Sequence, residues 1–142
     1  MKPIRLLLSL AIAGLLAAPF TAPAAEPNVK APTPATISHG AKVAITEYLV
    51  PGKTTVFDFY SEHCPVCKSL EPGIRKLHAS RDDIAVVFVD INRPGAKGID
   101  WDSPVSLQYN LPSTPQFKVY GPDGKLQSEG KHAYALVTGW LN

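Results

Sequence analysis

Two cysteines, Cys64 and Cys67, are the residues of this chain that are best suited to chemistry. They are the only cysteines among 142 residues, and two residues separate them. An apolar run, Thr54–Tyr60, precedes the pair, and a run with helical periodicity, Lys68–Ala79, follows it. A Cys-x-x-Cys pair between a strand and a helix is typical of a dithiol that cycles between the reduced and the disulfide form.

The start of a helix favours a thiolate, because unpaired backbone N–H groups and the positive end of the helix dipole stabilise negative charge there. We therefore expect Cys64 to be the nucleophile, the more exposed of the two thiols and the one with the lowered pKa. Cys67, one turn inside the helix, would be the resolving thiol that closes a Cys64–Cys67 disulfide. A purely structural bridge is the alternative, although a disulfide across two residues closes almost no loop and stabilises little.

The first 24 residues have the organisation of a secretory signal peptide. Lys2 and Arg5 precede an apolar stretch, Leu6–Ala18, and the small residues that end at Ala24 suit cleavage. The apolar stretch is shorter than the ~20 residues that a membrane span needs, so cleavage is favoured over anchoring. Export would place the protein in the bacterial periplasm, without stable membrane insertion.

The remainder of the chain is expected to be a tether followed by one domain. Residues 25–36 are rich in proline and alanine and predict an extended tether, and residues 37–142 are enough for one domain with one core. Without Lys2 and Arg5, 12 of the 14 basic residues remain beside 12 acidic ones. This balance leaves no excess of positive charge, so it does not predict binding to nucleic acid or to an anionic membrane. We expect a monomer.

The order of the predicted elements favours an α/β sandwich. A strand, a helix and a strand come first, then a hairpin and a last helix, in which Tyr134 and Trp140 are expected to join the core. The segments after Cys67 are the strand Ile84–Ile91, a short helix within Ser103–Tyr109, the hairpin strands Gln116–Tyr120 and Lys125–Glu129, and the helix Lys131–Leu141. Such an order places helices on both faces of a mixed central sheet.

From Thr54 to Asn142 the chain resembles thioredoxin. Besides the cysteine pair, Asp58 stands six residues before Cys64, Pro72 stands five after Cys67, Thr114-Pro115 precedes the hairpin and Gly130 follows it. The resemblance implies the three-layer thioredoxin-like sandwich and a thiol–disulfide oxidoreductase that acts on protein disulfides and thiols. It implies no cofactor and no metal.

The resemblance also implies roles for single residues. Asp58 would be a buried general acid/base that takes the proton of Cys67, and the alternative is a solvated carboxylate at a strand edge. Thr114 and a cis Pro115 would bind an extended substrate segment in a groove that Gly130 helps to shape, and His63 would be a further substrate-binding residue. An ordinary trans proline at a strand start is the alternative.

Three departures from the family pattern bear on partner and redox poise. His63 precedes Cys64 where the family has tryptophan; as a cation it would stabilise the thiolate and make the pair more oxidising, and as a neutral surface residue it would do little. Both interpretations of His63 stay open. Phe88 stands where the family has a lysine near the buried aspartate, and the polar loop Asn92–Pro104 is longer than usual.

The sequence favours a reductase, because Asp58 and the proline of the following helix are shared with reducing thioredoxins. A reductase in the periplasm would need a membrane electron donor. A disulfide donor of the same fold is the alternative, which would need a membrane acceptor. From other classes, two thiolates and His63 could hold a soft ion such as Cu(I), or Pro115 could serve a non-catalytic peptide-binding adaptor. Against metal, there is no third cysteine and the one methionine is Met1.

Overall fold

A computed structural model describes residues 28–142 of the chain. The predicted signal peptide and the first residues of the predicted tether lie outside the described residues. Within residues 28–142, five strands form one sheet: β1 (Ala35–Ile37), β2 (Thr54–Tyr60), β3 (Ile84–Asp90), β4 (Gln116–Tyr120) and β5 (Leu126–Glu129). Their order in the sheet is β1-β3-β2-β4-β5, with β1, β3 and β2 parallel and β4 and β5 antiparallel to their neighbours. The predicted mixed sheet is confirmed.

In the described part of the chain, three α-helices cover the sheet, namely α1 (Pro65–Ser80), α2 (Pro104–Gln108) and α3 (Gly130–Gly139). Ile74 and Leu77 of α1 and Val137 of α3 pack against one face in a single buried cluster. Val105 of α2 and Ile45, in a 3-10 turn (Ile45–Tyr48), pack against the other face. The three-layer sandwich is therefore confirmed. Within residues 28–142, no helix is long and apolar enough to cross a bilayer.

Strand β2 is the centre of the sheet and carries the chain to the cysteine pair. Residues 55–59 are all buried, as the β-branched and aromatic composition of the strand predicts. In the register, Asp58 lies opposite Phe88 of β3 on one side and Phe117 of β4 on the other. Because β2 ends at Tyr60 and α1 begins at Pro65, Cys64 lies at the carboxyl end of the central strand.

The segment predicted to be a tether is attached to the domain along its described part. The side chain of Asn28 donates to the carbonyls of Glu47 and Leu49, at 2.6 and 3.0 Å. Lys30 Nζ donates to carbonyls at the end of α1, and Ala35 already belongs to β1, which pairs with β3. The sequence predicts an extended tether here, and the structure shows that residues 28–36, which we call the N-terminal strap, are fastened to the domain. Its polar side chains satisfy carbonyls of residues far along the chain.

His78 joins this strap to the core. Its side chain is buried in α1; Nδ1 accepts the backbone N–H of Val86 at 3.0 Å, and Nε2 lies 2.8 Å from the carbonyl of Ala31, to which it donates. Both bonds are made by the neutral imidazole, because a protonated Nδ1 could not accept. Burial lowers the pKa of His78 from its ordinary value.

This arrangement predicts that acid weakens the attachment of the N-terminal strap to the domain. A lowered pKa in the folded state means that the stability contributed by His78 is present above about pH 6.5 and is lost as the pH falls below it. His78→Gln should lower the free energy of unfolding at pH 7 by about 1–3 kcal/mol, through lost or distorted buried hydrogen bonds. Denaturant titrations should show this deficit shrinking towards pH 5. A deficit independent of pH, or an equal effect in the exposed control His132→Gln, would contradict the assignment.

Candidate active site

Cys64 is the N-cap residue of α1. Its sulfur accepts the backbone N–H of Cys67 at 3.2 Å, as the side-chain oxygen of a serine or aspartate cap does elsewhere. Pro65 is the first helical residue. Proline is tolerated there because the first backbone N–H groups of a helix make no hydrogen bond within the helix. The sulfur therefore lies at the positive end of a helix of 16 residues, where negative charge is stabilised.

The two thiols do not differ in exposure. Cys64 is 3% exposed and Cys67 is 4% exposed, so the prediction that Cys64 is the more exposed thiol is wrong. The reason is the segment before β4, which lies over the sulfur: the thiol of Cys64 donates to the carbonyl of Thr114 at 3.6 Å. The thiols differ instead in their hydrogen bonds.

Hydrogen bonds favour the thiolate of Cys64. Burial raises the pKa of this thiol, but donors around the sulfur outweigh burial and lower it below the ordinary value. These donors are the thiol of Cys67, Thr114 and the backbone amides of Cys67 and Val66. The hydroxyl of Thr114 is buried without a hydrogen-bond partner while Cys64 is a thiol, so it is free to bond the thiolate.

The same geometry keeps Cys67 protonated. Burial raises the pKa of Cys67 to about 12, and its hydrogen bond to Cys64 and the negative charges of Cys64 and Asp58 add to this effect. The pair is thus asymmetric, with one thiol prepared to be a nucleophile and the other to hold its proton. That asymmetry is what thiol–disulfide exchange through a mixed disulfide requires.

Asp58 is a buried carboxyl group and not a solvated one. It is 2% exposed, and its Oδ1 has no hydrogen-bond partner. Burial raises the pKa of Asp58 to about 8, with a smaller contribution from the negative charge of Glu71. A carboxyl group that titrates near pH 8 can both accept and return a proton under physiological conditions, as the role of general acid/base demands.

No ammonium group takes the place next to Asp58 on β3. Phe88 occupies that position and is 3% exposed. The guanidinium of Arg75 lies over the Phe88 ring, 4.9 Å from its centroid, and is itself paired with Glu71 at 2.7 Å. The positive charge over Phe88 is therefore already engaged by a carboxylate.

A groove beside the dithiol brings together most of the residues predicted to bind substrate. The Thr114–Pro115 peptide bond is cis, and Gly130 has φ +63°, a conformation that side chains other than glycine rarely adopt. Both segments line the groove. The full lining is Val66, Ser113, Thr114, Pro115, Gln116, Gly130, Lys131 and Tyr134.

Five of these eight groove residues were not predicted from the sequence to bind substrate, and two of them, Tyr134 and Val66, expose large apolar side chains. Tyr134 was expected in the core but is 38% exposed at the groove, while Trp140 does pack against the core. Val66 is 47% exposed although it lies between the two cysteines. A signal for Tyr134 existed, because it stands one helical turn after Gly130 and so shares its side of α3.

His63 is not part of this groove. Its Nε2 lies 3.0 Å from the carbonyl oxygen of Ala96 and 3.5 Å from a carboxylate oxygen of Glu62. The side chain therefore binds the loop after β3 and does not face the groove. Within residues 28–142, no three His, Cys, Asp or Glu side chains lie close enough to one another to hold a metal ion.

A capped dithiol at the end of a central strand, a buried carboxyl group behind it and a groove beside it define a thiol–disulfide redox protein. The family model described as Thioredoxin matches residues 42–138, and the chain belongs to the thioredoxin family. Membership supports thiol–disulfide exchange with protein thiols and disulfides as its general activity.

Solved structures of thioredoxins share the fold. Chlamydomonas reinhardtii thioredoxin f2 is 21% identical over 75% of this chain and 94% of its own, with a TM-score of 0.52. Spinach chloroplast thioredoxin f, short form, is 15% identical over 81% of this chain and 99% of its own, with a TM-score of 0.51. Malassezia sympodialis thioredoxin is 17% identical over 84% and 100%, also with a TM-score of 0.51. No curated protein sequence matches the chain.

Proposed function

We propose that the protein is an exported oxidoreductase that reduces disulfides of other proteins. The observation that carries this proposal is the placement of the Cys64 sulfur at the start of α1, against Thr114 at the groove, with Cys67 and Asp58 buried behind it. With this placement, Cys64 would carry out the first step of a two-step exchange, and Cys67 and Asp58 would carry out the second.

In the first step, the Cys64 thiolate attacks one sulfur of a substrate disulfide. A Cys64–substrate disulfide forms, and the other substrate sulfur leaves as a thiolate that takes a proton from solvent. The groove would hold an extended substrate segment along Thr114 and Pro115. This segment would lie next to the Cys64 sulfur, because that sulfur contacts the carbonyl oxygen of Thr114.

In the second step, Cys67 gives its proton to the Asp58 carboxylate and attacks the sulfur of Cys64. The mixed disulfide breaks, the second substrate thiolate leaves, and a Cys64–Cys67 disulfide closes. Two electrons have passed from the dithiol to the substrate. Because the pKa of Cys67 is raised to about 12, this step depends on a base, and Asp58 is the buried carboxyl group whose charge acts on Cys67.

Support for the proposed reducing direction comes from how the thiolate of Cys64 is stabilised. Strong disulfide donors stabilise their reduced form heavily. Here the stabilising groups are neutral amides, a thiol and Thr114, and they act against burial. The imidazole of His63 is engaged by a carbonyl and a carboxylate, which offset any charge that it carries.

The proposed place of work is the bacterial periplasm, on the strength of the N-terminal sequence. Mass spectrometry of the chain recovered from a bacterial periplasm should show cleavage after Ala24. In that compartment the oxidised dithiol would be reduced again by a membrane electron donor, and the protein would act as a monomer.

The reduction potential of the Cys64–Cys67 pair tests the proposed direction. The protein would be equilibrated with glutathione buffers, and the fraction of disulfide measured by alkylation and mass spectrometry. We expect a value near about −270 mV together with catalysis of insulin reduction by dithiothreitol. A value near about −120 mV would indicate a disulfide donor, and a pair that does not cycle would reject an enzyme of either direction.

A further inference from the structure

The loop that follows β3 is held in one shape by its own polar side chains. Asn92 is 5% exposed; its amide donates to the carbonyl of Gly98 at 3.0 Å and accepts the backbone N–H of Asp100 at 3.3 Å. Arg93 binds the Asp100 carboxylate through two nitrogens, at 2.7 and 2.8 Å. A bidentate pair of this kind fixes geometry as well as adding energy. We call residues 92–101 the β3 loop.

The β3 loop is seated tightly on the body of the domain. Gly40, with φ +81°, lies so close beneath it that a Cβ atom there would be 2.6 Å from the backbone nitrogen of Arg93. The backbone of Gly40 also bonds to β3 and α2, through Asp90 and Val105. The loop is thus a defined surface without regular secondary structure.

The side chain of His63 connects this surface to the redox centre by a hydrogen bond. His63 Nε2 donates to the carbonyl of Ala96, which lies 3.0 Å away across 33 residues of sequence. The backbone of His63 is fixed as well, because its N–H donates to the Ser61 hydroxyl at 3.1 Å. His63 directly precedes Cys64 in the chain, so its hydrogen bond fixes the position of the β3 loop relative to the Cys64 sulfur.

Burial of the sulfur makes the surrounding surface important. Since Cys64 is 3% exposed, a protein disulfide can reach it only when the segment that carries it docks against the surface around the sulfur. Cys64 stands in the sequence between His63, which binds the β3 loop, and Val66, which lines the groove. A small disulfide reagent needs neither surface.

We infer that His63 is a positioning residue which fixes the β3 loop as a second docking surface for protein substrates. This inference rests on the proposed function. It assigns to His63 a hydrogen-bonding role in place of an electrostatic one. The substrate class that it implies is a disulfide in a flexible protein segment, docked both in the groove and against residues of the β3 loop.

Glutamine separates the two roles of His63. The amide of a glutamine can donate a hydrogen bond to the Ala96 carbonyl but never carries a charge, whereas alanine can do neither. If the hydrogen bond matters, His63→Gln should behave like the natural protein and His63→Ala should not. If a cationic imidazole matters, both variants should shift the reduction potential and the pKa of Cys64 alike.

The test compares two substrates under matched conditions. Insulin, reduced catalytically with dithiothreitol, reports docking of a protein disulfide, and the single-turnover reaction of the reduced protein with dithiodipyridine reports the nucleophile alone. For His63→Ala we expect KM for insulin to rise about 3–10-fold, the effect of one lost hydrogen bond, with kcat little changed. The dithiodipyridine rate constant should stay within about twofold. His132→Ala, which removes another exposed histidine, should leave both reactions unchanged.

A second variant loosens the loop without touching His63. Asp100→Ala removes the carboxylate that binds Arg93 and should raise KM for insulin in the same way. Because the two substitutions act on one surface, the double variant should be little worse than either single one. Full additivity would overturn the inference, because it would mean independent effects.

The remaining outcomes are also decisive. His63→Ala with unchanged KM for insulin, or His63→Gln as defective as His63→Ala, would reject the positioning role while leaving the proposed reductase intact. If the unmodified protein failed to accelerate insulin reduction, the proposed function itself would be overturned, and this inference with it. The unmodified protein thus serves as the control that separates the two failures.

Discussion

Replacing Cys67 with serine should convert the protein into one that captures protein disulfides and does not release them. Cys64 keeps its place at the start of α1, so it still attacks the substrate and forms the mixed disulfide. The resolving thiol is then absent. Release depends on dithiothreitol from solution, which lacks the large effective concentration of a thiol that is held in position.

The expected effect on turnover is large. Catalysis of insulin reduction should fall by at least about a thousandfold, because an intramolecular step becomes a bimolecular one. A covalent complex of one insulin chain with the protein should appear on non-reducing gels and disappear with excess reductant. Mass spectrometry of the digested complex should place the bond on Cys64.

Cys64→Ser is the matched control for this experiment. It removes the nucleophile but keeps the thiol of Cys67, whose pKa is raised by burial, so it should form no complex with insulin and show no turnover. If this variant formed a complex through Cys67, the assignment of Cys64 as the nucleophile and Cys67 as the resolving thiol would be wrong. Normal turnover by Cys67→Ser would show that resolution does not involve that thiol.

Replacing Asp58 with asparagine should make the protein more stable and the enzyme slower. The pKa of Asp58 is raised from 3.8 to about 8, chiefly by burial. A raised pKa in the folded state means that stability is fully present below the unfolded value and is lost as the pH rises towards 8. At pH 7 the buried carboxyl group therefore costs roughly 4 kcal/mol.

An asparagine in place of Asp58 would remove most of this cost while keeping the shape of the side chain. We expect Asp58→Asn to raise the free energy of unfolding at pH 7 by roughly 2–4 kcal/mol, since the unpaired amide retains some penalty. The gain should vanish near pH 3, where the carboxyl group is largely protonated in both states. Guanidinium titrations at the two pH values measure it. A destabilised Asp58→Asn protein at pH 7 would show that the carboxyl group is not buried at a cost.

The catalytic effect of Asp58→Asn should have its own pH profile. In the natural protein, the rate of resolution of a preformed mixed disulfide should rise about tenfold per pH unit up to about pH 8, because Asp58 must be ionised to accept the proton of Cys67. In the variant this step should be about a hundredfold slower at pH 8 and should lack that rise. The rate of attack by Cys64 on dithiodipyridine serves as the internal control and should change little. An unchanged profile would reject the role of general acid/base.

Much of the fold and the core of the site could be predicted because their signals are local. The β-branched and aromatic residues of β2 predict a buried central strand, and a proline after Cys64 predicts a helix start. Once the strand and the helix are placed, the two cysteines must lie one turn apart at their junction. The position of Asp58 inside an apolar strand favours burial of its carboxyl group, as the structure shows.

Contacts between distant segments could not be predicted from the sequence. The carbonyl of Thr114 lies over Cys64 across 50 residues and buries a sulfur that its helix-start position suggested to be exposed. The strap is fastened by Lys30 and His78, 48 residues apart, although its composition is that of a free tether.

Local sequence patterns thus define the chemistry of this protein, whereas contacts between distant segments control which molecules can reach it. Cysteine spacing, helix start and strand composition follow from backbone geometry within about a dozen residues, where pattern and structure are tightly coupled. The exposure of Cys64, the hydrogen bond from His63 to Ala96 and the cost of burying Asp58 depend on which distant segments meet. Those meetings are set by the free energy of packing the whole domain, which no local pattern contains.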